Sequence, residues 1–132
     1  MKKEEKFLKK RATEFWQRAK EDFKKRRFNL STLDVEQAVQ LFLKHLIFVK
    51  AGDFPKTHNF GKLFDELSEI YNNEEIKNFY ENHILEFKAL EDAYITSRYF
   101  PREFEKVEAE KIIEFAQKVI KFLEDKTGEK FR

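Results

Sequence analysis

Hydrophobic residues dominate the stretch from Ser31 to Ala51, where they occupy most of the circumference of a helix. Its main polar side chains form one narrow stripe, made of Glu36, Gln37, Gln40 and Lys44. A helix that is apolar on most sides must be covered by several neighbours, so the pattern predicts the central helix of a small bundle. Ser31, followed three residues later by Asp34, predicts a capped start. The polar interruptions exclude a membrane span.

Apolar residues recurring at steps of three and four predict four more helices. The approximate bounds of these helices are residues 4–26, 59–71, 74–96 and 105–125. The most regular seam, in residues 74–96, consists of Ile76, Tyr80, His83, Phe87, Leu90 and Tyr94. The pattern predicts an all-α fold: an up-down antiparallel four-helix bundle with one additional short helix, about five helices in one domain spanning residues 1–132.

Glycines mark the ends of two predicted helices. Gly52 ends the second helix and Gly128 ends the last, after which the final residues are expected to be frayed. Thr57 or Asn59 is the expected cap of the short third helix. A polar and aromatic connector, residues 97–104, precedes the last helix.

Composition narrows the function classes. The absence of cysteine excludes a disulfide framework, a thiolate zinc site and a cysteine nucleophile. The net charge of +2 is uneven, because residues 1–27 carry 12 Lys/Arg against 5 Asp/Glu while residues 28–132 carry 15 against 20. A basic first helix either attracts phosphate or is simply solvated. The N-terminus lacks the apolar segment of a signal peptide, which predicts a cytoplasmic protein. Abundant Lys, Glu and Phe indicate a thermophile source.

Two connectors hold the candidate ligand-binding residues. Lys56, His58 and Lys62 surround the start of the third helix, where free backbone N–H groups and positive charge favour an anion. The alternative is structural, with Thr57 or His58 only capping that helix.

The second connector carries Arg98, Tyr99 and Arg102. A guanidinium group can hold a phosphate while a base stacks on Tyr99. Alternatively, Arg98 caps the last carbonyls of the fourth helix while Tyr99 and Phe100 close the end of the bundle. A groove shared by both connectors requires them to lie near the same end, which is met if the second and fourth helices run in the same direction.

Other kinds of site lack their residues. His83 lies on the apolar seam and His45 is expected at the core boundary, so neither is a predicted catalyst. Adjacent carboxylates such as Asp65 and Glu66 point about 100° apart on a helix and do not converge. Neither the Glu-x-x-His pattern of a di-iron bundle nor a Gly-rich phosphate loop is present. We therefore predict no catalytic residue, no metal and no cofactor.

Three tracts, in order along the chain, match the pattern of one known family. They are EQAVQLFLKHLIF at residues 36–48, PKTHNFGKLFDEL at residues 55–67 and DAYITSRYFP at residues 92–101. The matching residues are Glu36, Ala38, Leu43, Lys44, Leu46, Pro55, Thr57, His58, Leu63, Tyr94, Arg98, Tyr99 and Pro101. Together the tracts resemble the HEPN family, the higher eukaryotes and prokaryotes nucleotide-binding domain. Phe60 stands where that family usually has an aliphatic residue.

The resemblance implies a bundle of about five helices that is often homodimeric and frequently encoded beside a minimal nucleotidyltransferase, as in toxin–antitoxin-like pairs. Some relatives are toxin ribonucleases with an arginine and a histidine four to six residues apart on the fourth helix. In this chain no histidine has an arginine four to seven positions before it, and Arg98 has no histidine after it. The chain therefore departs from the ribonuclease pattern.

We predict a nucleotide- or RNA-binding helical interaction module whose partners are a second copy of itself and a nucleotidyltransferase subunit. The residues expected to bind the ligand are Lys56, His58, Lys62, Arg98, Tyr99 and Arg102. Two alternatives stay open. One is a metal-independent ribonuclease with an atypical site drawing on His58 or His83 and Arg98. The other is a purely structural dimerisation domain that uses the apolar surplus of the first two helices.

Overall fold

All regular secondary structure in the described part of the chain is helical. The computed structural model describes the backbone of residues 3–131 and the side chains of residues 7–131. Its helices are α1 (Lys3–Lys24), α2 (Phe28–Ala51), α3 (Phe60–Ile70), α4 (Glu74–Asn82), α5 (Ile84–Tyr99) and α6 (Lys106–Thr127). The all-α prediction is confirmed, but residues 3–131 contain six helices where about five were predicted. No helix in this range is long and apolar enough to cross a bilayer.

The additional helix arises from a break at His83. The helix predicted over residues 74–96 is divided into α4 and α5, because His83 has non-helical angles of φ −124° and ψ 28°. Its ring Nδ1 donates to the Phe79 carbonyl oxygen at 2.8 Å. Four residues of the predicted seam are buried on either side of this break: Ile76, Tyr80, Phe87 and Leu90. The seam therefore packs into the core despite the interruption.

The start of α2 differs from the prediction. The helix begins at Phe28, three residues before Ser31. The Ser31 hydroxyl donates to the Ala19 carbonyl oxygen of α1 at 2.8 Å, and Asp34 forms an ion pair with Arg18 of α1. The predicted cap is wrong, because both side chains bind α1 instead of the first turn of their own helix.

The remainder of α2 forms the centre of the core. Seven of its apolar side chains have no exposed surface: Val35, Ala38, Val39, Phe42, Leu43, Leu46 and Ile47. His45 was expected at the core boundary but is fully buried, and its ring stacks against that of Phe42 with a centroid distance of 6.4 Å. Burial on nearly every side agrees with the prediction that this helix is central.

The helices α2 and α5 run in opposite directions. The Thr32 hydroxyl, near the start of α2, hydrogen-bonds the Ser97 hydroxyl near the end of α5 at 3.1 Å. Glu36, one turn further along α2, interacts electrostatically with Glu91, which comes earlier along α5. The parallel arrangement expected for these two helices is therefore wrong. The connectors that follow α2 and α5 begin at opposite ends of this helix pair.

The C-terminal residues close the core. Phe131 is 3% exposed, and its ring centroid lies 5.0 Å from that of Phe42 and 6.1 Å from that of Trp16. Its backbone N–H donates to the Glu124 carboxylate at 2.8 Å. Gly128 ends α6 as predicted, with a left-handed φ of 79°, but the expected fraying is wrong for Phe131. Burial of an aromatic ring outweighs the conformational freedom that the chain end loses.

Candidate functional site

The polar stripe of α2 is buried, although it consists of ionisable and amide side chains. Glu36, Gln40 and Lys44 are 2%, 3% and 6% exposed. Their spacing of four aligns them on one side of the helix. His58 contacts Gln40 from the loop of residues 53–59, so this loop covers the stripe. Buried polar groups have to find partners within the protein, and this requirement shapes the cluster.

A chain of hydrogen bonds connects the buried carboxylate to the surface. One oxygen of Glu36 accepts from Gln37 Nε2 and the other accepts from Gln40 Nε2, each at 2.7 Å. The remaining oxygen of the Gln40 amide lies 2.6 Å from Nδ1 of His58, whose side chain is exposed. These four residues, Glu36, Gln37, Gln40 and His58, are called the relay cluster below.

The charge of Glu36 is poorly compensated. Burial raises the pKa of Glu36 to about 7, and the nearby Glu91 carboxylate raises it further, while Gln37, Gln40 and Lys44 oppose the shift. Burial also lowers the pKa of Lys44, as does the positive charge of Lys56, while Glu36 opposes this change. A buried group that titrates near neutral pH is typical of functional sites.

The start of α3 already holds a carboxylate. The Asn59 side chain caps this helix by accepting from the Lys62 backbone N–H at 2.9 Å, which decides between the two expected caps, Thr57 and Asn59. The Phe60 backbone N–H donates to the Glu91 carboxylate at 3.0 Å. An anion that binds this helix terminus therefore has to compete with Glu91 of α5.

Of the three predicted residues in the first connector, His58 belongs to the relay cluster. Lys56 and Lys62 are exposed. The Lys56 ammonium lies 5.3 Å from the centroid of the Phe54 ring. Both lysines therefore place positive charge at the surface near His58, and neither side chain is buried.

The three predicted residues of the second connector lie around the end of α5. The Arg98 guanidinium donates to the Tyr94 hydroxyl and lies 5.2 Å and 5.1 Å from the ring centroids of Tyr94 and Tyr99. Tyr99 is 66% exposed and Phe100 is 59% exposed. The two aromatic rings therefore do not close the end of the bundle. Residues 98–102 are called the basic segment below.

The surroundings of Arg102 differ from those of Arg98. Its guanidinium pairs with Glu108 and lies 4.4 Å from the centroid of the Phe104 ring. Its backbone carbonyl oxygen accepts from Asn29 Nδ2 at 2.8 Å. Arg102 also borders a groove of about 410 Å³ between α5 and α6. Glu108 thus neutralises the charge of Arg102, whereas Arg98 has no carboxylate within ion-pair distance among residues 7–131.

The predicted ligand-binding residues form two groups, which lie beside different positions along the axis of α2. His58 contacts Gln40, whereas the end of α5 contacts Thr32. These two positions of α2 are eight residues apart, or about 12 Å along the helix axis. Arg98 nevertheless lies seven residues after Glu91 and hence on the same side of α5. Both groups therefore border one surface, which we call the α2–α5 face.

A comparison with protein-family models decides which family this fold and sequence represent. The model of the HEPN domain matches residues 5–126, nearly the whole chain. The chain belongs to the HEPN family. Comparisons with curated proteins and with solved structures gave no match. In this HEPN domain the loop before α3 contributes His58 to the relay cluster, and the end of α5 contributes Arg98 and Tyr99 to the basic segment.

A second polar cluster of the HEPN domain joins α1 to α2. Asp34 is 1% exposed and accepts from the Arg18 guanidinium at 2.8 and 3.2 Å. Asp22, 5% exposed, lies beside Asp34 and pairs with Arg27 at 3.2 Å. Burial raises the pKa of Asp34 to about 6, with Asp22 adding to the rise and Arg18 opposing it. This set, Arg18, Asp22, Arg27 and Asp34, is called the Asp34 cluster.

Sequence reasoning missed the partners of both buried carboxylates. Glu36, Gln40 and Lys44 stood out only as a polar stripe, and their spacing of four on an otherwise apolar helix is the signal that could have identified a buried cluster. Among residues 7–131, no group of three or more His, Cys, Asp or Glu side chains forms a potential metal site. The α2–α5 face offers hydrogen bonding at His58 and cation and aromatic groups at Arg98 and Tyr99.

Proposed function

We propose that this HEPN domain binds single-stranded RNA or nucleotides at its α2–α5 face, with Arg98 and Tyr99 as the main contacts. The exposure of Tyr99, at 66%, beside the Arg98 guanidinium carries this proposal. An aromatic ring on the surface offers a π-face to any base, while a guanidinium group binds phosphate with two donors. Membership of the HEPN family supports a nucleotide- or RNA-related role.

Charge supports Arg98 over Arg102 as the phosphate ligand. Glu108 already compensates Arg102, so a phosphate that approaches Arg102 meets a competing carboxylate. Arg98 is surrounded by aromatic groups, which keep its side chain ordered without neutralising its charge. Lys56 and Lys62 are exposed and add positive charge beside His58.

Fluorescence anisotropy with a labelled single-stranded RNA tests this site. Tyr99→Ala and Arg98→Ala are each expected to weaken binding about tenfold, because one stacking contact or one charged contact is lost. Arg11→Ala is the matched control, since Arg11 lies 4.5 Å from the Phe7 ring centroid on α1. A loss of affinity in the Arg11 variant but not in the Arg98 variant would move the binding site to the basic first helix.

The same samples separate binding from cleavage. The ribonuclease alternative predicts that RNA is cut in the presence of EDTA and that His58→Ala or Arg98→Ala abolishes the cutting. A binding module leaves the RNA intact on a denaturing gel, whichever variant is present. The absence of an arginine four to seven residues before any histidine supports the binding module.

We also propose that the domain assembles with a second copy of itself and with a nucleotidyltransferase subunit, in a toxin–antitoxin-like pair. Leu85 is 80% exposed and Ile84 is 43% exposed, which supports a protein contact at the start of α5. Equilibrium sedimentation of the wild type and of Leu85→Glu tests the homodimer, with the variant expected to be monomeric. A tight dimer that ignores both ATP and RNA would instead favour the purely structural alternative.

A further inference from the structure

We propose that His58 distinguishes ribose from deoxyribose, because Glu36 and Gln40 hold it as the Nδ1–H tautomer and its Nε2 accepts a hydrogen bond from a ligand 2′-hydroxyl. This inference rests on the proposed function and names the class of ligand, ribonucleotides and RNA in preference to DNA. It depends on the direction of the hydrogen bonds in the relay cluster, on the exposure of His58, and on the donors that a nucleic acid offers.

The direction of the hydrogen bonds begins at Glu36. An ionised carboxylate only accepts hydrogen bonds, so the Gln40 amide has to turn its nitrogen toward Glu36, in agreement with the 2.7 Å contact. The Gln40 carbonyl oxygen then points to His58, 2.6 Å away. A carbonyl oxygen cannot donate, and therefore the hydrogen atom of this contact belongs to Nδ1 of His58.

Burial keeps this direction fixed. Glu36 and Gln40 are 2% and 3% exposed, and Gln37 occupies the other oxygen of Glu36. The two buried groups have little access to water, so the protein itself supplies their hydrogen-bond partners. A neutral imidazole with its hydrogen on Nδ1 carries a lone pair on Nε2. Since the His58 side chain is exposed and Nδ1 is occupied, Nε2 is the ring nitrogen left for a ligand.

The lone pair on Nε2 of His58 can bind only a ligand group that donates a hydrogen bond. Phosphate oxygens only accept hydrogen bonds, so they do not pair with a lone pair on Nε2. The 2′-hydroxyl is the donor that every ribonucleotide carries whatever its base, and it is the group that tells RNA from DNA. Arg98 lies on the same side of α5 as Glu91, about 10 Å along the helix. A strand held at Arg98 and Tyr99 can therefore continue along the α2–α5 face toward His58.

The affinities for oligo(rA) and oligo(dA) of equal length test the proposal, because the two strands carry identical bases. At pH 8 the Glu36 carboxyl is ionised, since burial raises its pKa only to about 7. The wild type is expected to bind oligo(rA) about tenfold more tightly, the effect of one lost hydrogen bond with an unpaired partner. His58→Ala is expected to bring the ratio to about one. Arg98→Ala is expected to weaken both strands and to keep the ratio.

These outcomes separate the two proposals. A wild type that binds both strands equally refutes the role of His58 and leaves nucleic-acid binding intact. A wild type that binds neither strand refutes the proposed function and this inference with it. A ratio that survives in His58→Ala likewise overturns the inference.

A direct observation of the tautomer covers the case in which His58→Ala perturbs the fold. In ¹⁵N-labelled wild type at pH 8, we expect the His58 ring in the Nδ1–H form. Gln40→Met removes the amide but keeps the volume of the side chain. We expect this variant to change the ¹⁵N spectrum of His58 and to abolish the ribose preference. His83 is the internal control, because its Nδ1 donates to the Phe79 carbonyl oxygen and does not depend on Gln40. An Nε2–H form of His58 in the wild type would refute the proposal.

Discussion

Asp34 and Glu36 lie two residues apart on α2, and both carboxylates are buried, but their hydrogen-bond partners differ. Asp34 is 1% exposed and pairs with the guanidinium of Arg18. Glu36 is 2% exposed, and its hydrogen-bond donors are the amides of Gln37 and Gln40. The pKa is raised by burial in both cases, to about 6 for Asp34 and to about 7 for Glu36. The pKa values of the two groups are therefore raised by similar amounts, one beside a cation and the other beside neutral amides.

The difference separates a structural cluster from a functional candidate. The Asp34 cluster joins α1 to α2 through charged partners on both helices, as expected of a contact that fixes the packing of two helices. The relay cluster has neutral partners, retains a carboxyl that titrates near pH 7, and leads outward to the exposed ring of His58. A protein rarely keeps such a costly group unless it is used.

The largest expected effect comes from Arg18→Ala. Removal of the guanidinium leaves Asp34 buried beside Asp22 without its cation, which is expected to lower the free energy of unfolding by about 3 kcal/mol at pH 8. At pH 5 the loss is expected to be smaller, because Asp34 is then largely protonated. Urea denaturation at the two pH values measures both effects. Arg11→Ala, whose partner Glu14 is exposed, is the control and is expected to change stability by less than about 0.5 kcal/mol.

Glu36→Gln is expected to stabilise the domain by about 2 kcal/mol at pH 8 and to change little at pH 4. Between the unfolded pKa of 4.5 and the folded pKa of about 7, the folded wild type holds a proton that the unfolded chain releases, so its stability falls as the pH rises through this window. Glutamine has no such proton, so the fall in stability between pH 4.5 and pH 7 should become smaller in denaturation curves recorded at several pH values, leaving the part that comes from Asp34.

Asp34→Asn is the matched variant for the other cluster. The raised pKa of Asp34 gives this variant the same sign at pH 8, but we expect a smaller stabilisation than for Glu36→Gln, because the amide gives up the charge pair with Arg18. Equal stabilisation by both substitutions would mean that the two buried carboxylates do not differ in the way their surroundings indicate.

A smaller effect is expected when His58, the exposed residue of the relay cluster, is substituted. His58→Ala removes one hydrogen bond, worth about 1 kcal/mol, between the loop of residues 53–59 and α2. Amide hydrogen exchange at Asn59 and Phe60 is expected to become about fivefold faster as this loop opens. Exchange at the Ser31 amide, within the region of the Asp34 cluster, should stay unchanged. Equal acceleration at both places would indicate global destabilisation.

The smallest effect is expected for Lys88→Ala. Lys88 pairs with Glu91 at 3.4 Å, but its side chain is 49% exposed, so its loss should cost less than about 0.5 kcal/mol. At pH 5, where Glu36 is largely protonated and Glu91 does not repel it, Glu91→Ala should cost about 1 kcal/mol, because it also removes the acceptor of the Phe60 N–H at the start of α3. Thermal denaturation of the two variants side by side measures the difference, which should vanish if Glu91 acts only through Lys88.

The features of the fold that depend only on the local sequence of one helix were predictable. The apolar steps of α1, α2 and α6, and the left-handed glycines Gly52 and Gly128, are local signals that the structure confirms. The break at His83 was not predictable, because the apolar seam continues through it without a glycine or a proline. The early start of α2 was also hidden, since Ser31 follows the rule of a cap but bonds α1.

The sequence singles out candidate residues for the site but not their arrangement. His58, Arg98 and Tyr99 came from family motifs that are legible in the sequence. The partner of His58 was not, because Gln40 lies 18 residues earlier and meets it only after the loop folds back on α2. Long-range pairing of this kind depends on topology, which local periodicity does not specify.

Asn29 joins the first turn of α2 to the connector between α5 and α6. Its side chain amide donates to the Arg102 carbonyl and accepts from the Phe104 N–H, each at 2.8 Å. The turn that joins α1 to α2 and the turn that joins α5 to α6 are thereby fastened to a single amide. Asn29→Ala would remove both bonds at once, so the conformational freedom of residues 102–104 depends on one side chain of α2.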